Sequence, residues 1–209
     1  MAHVIVPVGL SMGPRYRYVR PPDPTPECYE IHLGDDLVEL TETEAAVWGA
    51  SFVDAEKHSK LEVNRDSLIR LLTTAPQPVD GAETIVDDLL TRGLLLEFDT
   101  DGDLQPAFSR HKLLPLGQGL GSTAEDPHLH RIGFANQPLM MVPVDVYGLW
   151  AFSFRDADLW TACELYADDS EDDLEGAEPR NMTAKAVAVD FAQHVPLMVA
   201  ASCAFLDKA

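Results

Sequence analysis

Cysteine is scarce in this chain: Cys28, Cys163 and Cys203 are an odd number among 209 residues, and no two form a CxxC pair. A disulfide framework and a thiolate zinc site both lack the residues they need, so a reducing, cytoplasmic setting is expected. Positive charge is scarce as well, with 15 Lys plus Arg against 35 Asp plus Glu and a formal charge of -20. That balance repels phosphate backbones and disfavours ordinary nucleic-acid binding. Long apolar runs are missing too. Val4 to Leu10 is interrupted by Pro7 and Gly9 with no basic residue ahead of it, and Val195 to Leu206 covers only 12 residues, where a spanning helix needs about 20. Neither an export signal nor a membrane anchor is expected. There is no GxSxG elbow, and no Cys stands beside a basic or His-containing motif; Cys203 lies in the apolar stretch Ala200 to Phe205, a setting for burial. The expectation is a protein that is not an enzyme and carries no cofactor.

What remains, 46% hydrophobic and 24% charged residues, is the composition of a folded globular chain. Residues 1–27 form a zone of their own, read as an extended arm: Arg15 to Arg20 alternates Arg with Tyr and Val as an edge strand does, and Pro21, Pro22, Pro24 and Pro26 follow. Tyr29 to Leu40 reads as a hairpin around Gly34-Asp35-Asp36. Thr41-Glu42-Thr43-Glu44 is a capping box opening a helix with Val47, Trp48 and Phe52 inward. A second helix runs from Arg65 to Thr73 behind Asn64, and a third from Ala82 to Arg92 ends at Gly93, a left-handed cap. Leu94 to Phe98, an acidic turn and a returning strand Leu104 to Phe108 would then make the wing of a winged helix.

The chain also repeats itself. At an offset of 102, Leu37, Trp48, Ser51, Phe52 and Asp54 meet Leu139, Trp150, Ser153, Phe154 and Asp156 without a gap, and Val195 to Leu206 takes the place of Val86 to Phe98. The expected fold is therefore α+β, with tandem winged-helix-like modules at 28–112 and 131–209. The second is degenerate and ends before completing a wing. Residues 113–130, containing Gly117, Gly119 and Gly121, read as a linker, and the acidic run Ala167 to Arg180 as a solvated loop.

Each chemical motif has a plain alternative. Gly117 to Ser122 spells GxGxG and not GxGxxG, with no following Lys, so a linker is preferred to a phosphate loop. Glu125, Asp126, His128 and His130 lack a helical metal spacing, and the acidic run lacks a calcium-loop pattern; no metal site is expected. Trp48 and Trp150 read as core packing. The Arg15 to Arg20 strand is the one basic, aromatic feature that an acidic partner or a phosphate would favour.

The leading hairpin, Leu40 to Trp48 at the first helix and Ile85 to Leu95 closing the third resemble the PqqD-like winged-helix family of peptide-recognition elements. The resemblance covers residues 29–108 and implies capture of an extended peptide as an added strand against the third helix. Carried over by position, the peptide-binding groove would comprise Ile31, Leu33, Val38, Leu40, Ile85, Asp88 and Leu89. The expected function is a non-catalytic peptide- or protein-binding adaptor, presenting its peptide to a modifying enzyme. The alternative is a winged-helix transcription regulator, although Glu83, Asp87 and Asp88 oppose the lone Arg92 on the would-be reading helix.

Overall fold

The run His3-Val4-Ile5-Val6-Pro7 has no polar alternation, the pattern of a strand covered on both faces. In the computed structural model, which describes residues 3–52, 64–169 and 182–209, it forms β1 (His3–Pro7), and Val4, Ile5, Val6 and Val8 are all buried. Covering those side chains stabilises the fold by on the order of 1.5–3 kcal/mol each. Next come β2 (Leu10–Tyr16), β3 (Pro26–Leu33) and β4 (Asp36–Leu40), an antiparallel sheet in the order β2-β3-β4. Three helices follow: α1 (Glu42–Ala50), α2 (Arg65–Thr74) and α3 (Ala82–Arg92). Thr41 and Glu44 close a reciprocal cap on α1, Asn64 and Ser67 close one on α2, and Gly93 ends α3 at φ 74°. Finally β5 (Leu95–Asp99) returns to pair antiparallel with β1, Pro7 opposite Leu95 and His3 opposite Asp99.

After a short helix, α4 (Gln105–Phe108), the same succession recurs. β6 (His111–Pro115) precedes the sheet β7-β8-β9, made of β7 (Gln118–Gly121), β8 (Leu129–Phe134) and β9 (Gln137–Pro143). The helices are α5 (Val144–Phe152), a 3-10 turn at Ser153–Arg155, α6 (Leu159–Asp169), α7 (Ala184–Ala192) and α8 (Val195–Ala200). β10 (Ala204–Lys208) then pairs antiparallel with β6, Pro115 opposite Ala204 and His111 opposite Lys208. The chain is thus a mixed α and β protein with several small sheets.

Equivalent atoms do equivalent work in the two halves. Leu94 N–H donates to Leu89 at 2.9 Å and Cys203 N–H to Met198 at 2.8 Å, each after a residue at positive φ, Gly93 or Ser202. The two indoles also each donate to a main-chain carbonyl beside the closing strands, though not to counterparts: Trp48 Nε1 bonds Val8 at 3.2 Å, and Trp150 Nε1 bonds Cys203, the counterpart of Leu94, at 3.0 Å. The two halves share one apolar core. Val8 forms a parallel bridge with Leu206, and the Asp207 carboxylate accepts the Gly34 N–H at 2.6 Å, tying the first hairpin to the last strand.

Several expectations are corrected by these pairings. Within the expected arm of residues 1–27, residues 3–16 are not an arm, because β1 is core and β2 extends the hairpin sheet; of the Arg15 to Arg20 strand only Arg15 and Tyr16 belong to it. Leu104 to Phe108 is no returning strand. Pro106 starts the short α4, burying Leu104 and Phe108, and β5 finds its partner in β1 instead. Residues 113–130 hold β6 and β7, where glycine serves close approach: a Cβ on Gly119 would lie 2.0 Å from the Tyr147 hydroxyl, and one on Gly117 3.0 Å from Ile132. The second half has its own closing pair, β6 with β10. Residues 170–180 of the acidic run lie outside the described residues.

Candidate functional site

The expected groove lies along the outer edge of β4, beside α3. Of its seven residues, Ile31, Leu33, Leu40 and Leu89 are core side chains, Val38 and Ile85 are half-buried, and Asp88 is exposed. The alternation of β3 accounts for this, since Ile31 and Leu33 point to the face that α1 covers. What an incoming strand would meet at this edge is Arg92. Its guanidinium donates to Glu44 at 2.5 Å, to Asp88 at 3.0 Å and to the backbone carbonyl of Glu39 in β4 at 3.3 Å. Burial pushes the Glu44 carboxyl up, but its bonds from Thr41 and the charge of Arg92 outweigh this and hold it below its ordinary value. Arg92 therefore closes a main-chain acceptor that an added strand would use.

The second half places apolar residues at all four positions. By the β3–β4 and β8–β9 registers and the matched turns after α3 and α8, Glu39 corresponds to Met141, Glu44 to Val146, Asp88 to Leu197 and Arg92 to Ala201. Val146 is buried, Leu197 and Ala201 are half-buried, and Met141 is 56% exposed on the edge strand β9, next but one to Leu139 at 51%. Among the described residues no hydrogen bond reaches the outer edge of β9 from another element. An edge strand with exposed apolar side chains is a template for main-chain pairing. The sequence carried a signal for this in the alignment at offset 102, where Glu39, Glu42 and Glu44 of the first copy meet Met141, Val144 and Val146.

The remaining motifs resolve into structure. Cys28, Glu30 and Glu39 bring ligand atoms within 4.8 Å of one another, but Arg15 occupies the middle, 2.7 Å from both Glu30 and Glu39. A bond to Glu39 raises the Arg15 pKa further, so this carboxylate pair already holds its cation. His130 leaves the expected acidic cluster and stacks on Tyr147, ring centres 4.6 Å apart, while Glu125, Asp126 and His128 are exposed. All three cysteines are buried; burial pushes Cys163 up to about 12 and Cys203 up to about 11. Among the described residues no helix is long and apolar enough to cross a membrane. Compared with protein-family models, curated proteins and solved structures, the chain matches none of them.

Proposed function

We propose that this chain is a non-catalytic, cytoplasmic adaptor of two tandem winged-helix-like modules, similar to the PqqD-like elements, and that it captures an extended peptide by strand addition. The site of capture is the edge of β9 in the second half. The observation that carries this reading is the exchange of the Glu39, Glu44, Asp88 and Arg92 network for Met141, Val146, Leu197 and Ala201, which leaves an apolar edge with unpaired main-chain groups. Main-chain bonds would supply affinity and the Met141 and Leu139 side chains selectivity. A DNA-binding role finds no support in α3: Glu83, Asp87 and Asp88 are exposed there, and Arg92 is engaged by carboxylates.

Linear peptides selected by display against the full chain provide the test, with affinity read by fluorescence polarisation. Met141→Pro removes an edge N–H and should weaken binding at least tenfold, whereas Leu37→Asp on exposed β4 should leave it unchanged. Equal binding by a folded Met141→Pro protein rejects the site. Leu33→Asp would be a poor probe, because Leu33 is core and its loss would test folding.

A further inference from the structure

At the far end of α5 from β9, the 3-10 turn and α6 enclose a cleft of about 450 Å³ whose walls include Leu149, Phe152 and Leu165. That volume falls in the range of about 300–1,000 Å³ common to ligand pockets. Gly148 permits it, since a Cβ there would press 3.1 Å from the Tyr166 ring that backs the cleft. Phe152 and Leu165 are exposed at 58% and 48%, so the apolar wall is open to solvent.

Two observations point to an occupant. Ser153 lines the cleft at 2% exposure, and its hydroxyl has no hydrogen-bond partner. Its repeat counterpart Ser51 is equally buried but donates to the Trp48 carbonyl at 2.6 Å. A buried hydroxyl without a partner costs about 1–3 kcal/mol, so the second copy has given up a bond that the first copy keeps. Arg155, also lining the cleft, has no carboxylate within salt-bridge distance among the described residues, in a chain with 35 acids. Asp156 lines the cleft as well, so its walls offer one cation and one anion together with apolar side chains.

We propose that this cleft binds the free C-terminus of a peptide ending in a large apolar residue. The terminal side chain packs on Leu149, Phe152 and Leu165, the α-carboxylate pairs with Arg155, and the terminal amide N–H is accepted by Asp156 or by Ser153 Oγ. A simple fatty acid would satisfy Arg155 but offer no donor to Asp156. The site is separate from the β9 edge and does not depend on strand addition.

The probe is N-acetyl-Leu-Phe, titrated into the full chain and followed by calorimetry, beside its C-terminal amide and octanoate. The free acid should bind saturably and at least tenfold more tightly than either comparison ligand, and Arg155→Gln should abolish the preference over the amide. Ser153→Ala should weaken the acid several-fold with its unfolding midpoint unchanged or raised, because an unpaired hydroxyl is removed. No saturable binding, equal binding of acid and amide, or octanoate binding as tightly as the dipeptide would overturn the proposal. Met141→Pro should not alter this titration, which separates a failure here from a failure at β9.

Discussion

The two indoles at the junction of the closing strands offer a test of how the halves are held. Trp48 and Trp150 are both nearly buried, so replacing either by Phe removes a similar piece of ring and a similar N–H. What differs is the acceptor left behind. The Val8 carbonyl has Trp48 Nε1 as its one side-chain or loop donor among the described residues, whereas the Cys203 carbonyl also accepts from Leu116 and Gly117 N–H at 2.9 and 3.1 Å. Trp48→Phe therefore strands a buried carbonyl, costing about 1–3 kcal/mol, while Trp150→Phe forfeits only a net bond of about 0.5–1.5 kcal/mol. With the ring terms cancelling, Trp48→Phe should be the more destabilising by about 1 kcal/mol. For a chain of this length that separates the two thermal midpoints by about 2–4 °C, readable by circular dichroism at 222 nm. A Trp150→Phe protein that melts at or below the temperature of Trp48→Phe would refute this account of the junction.

Two further outcomes follow from the titrating groups. With Cys163 and Cys203 pushed up to about 12 and about 11, and Cys28 also raised by burial despite its neighbour Arg15, native protein at pH 8 should leave all three thiols unmodified by a disulfide reagent. All three should react once denaturant is added; stoichiometric labelling of a native Cys would contradict the packing. Stability should also fall on acidification, in two stages. His111 is held below its ordinary 6.5 by burial, so the unfolded chain takes up the proton first; its contribution is complete above that pH and is lost below it. Glu44, held below 4.5, contributes fully above that value and loses its contribution as pH falls through the lowered one. Thermal midpoints should decline from pH 7 to 5, and His111→Gln should flatten that decline; an unchanged slope in the variant would assign it elsewhere.

The helices of the first half were legible because their ends carry local chemistry: Thr41 with Glu44, Asn64, and Gly93 act within a few residues of themselves. The hairpin of β3 and β4 was legible for the same reason. β1 was hidden because a strand covered on both faces has no alternation, and its partner β5 is about ninety residues away in sequence. The wing was drawn with the nearest candidate, Leu104 to Phe108, when the true partner was distant. Gly117 and Gly119 read as a flexible linker because composition alone does not distinguish a glycine that frees the chain from one that lets Ile132 or Tyr147 approach. A second alignment contains the answer: at an offset of 108, His3, Pro7, Gly9 and Gly13 meet His111, Pro115, Gly117 and Gly121. In the groove, inward and outward faces were not separated, so core residues were carried over as contacts and Arg92 was overlooked.

The divergence of the two copies at that groove has a physical logic. Arg92 alone could not have been exchanged for an apolar residue, because Glu44 is partly buried against it and a carboxylate left there unpaired is costly. Removing Glu44 alone would likewise leave Arg92 with only the more exposed Asp88 as an ionic partner. The stable alternatives are the full network or none of it, and the second copy has none of it. The loss of Glu39, whose counterpart is Met141, belongs to a different constraint, because Arg92 bonds the Glu39 backbone and not its side chain, and that side chain serves Arg15. In the second copy Thr123 meets Arg15 at the offset of 108, and Arg131, opposite Met141, donates to the carbonyls of Gly121 and Leu120; no acid stands at 141, and an exposed Met takes the strand edge instead. Two unrelated charge clusters, one around Arg92 and one around Arg15, are thus absent from the second copy, which is the combination that leaves β9 apolar and its edge open.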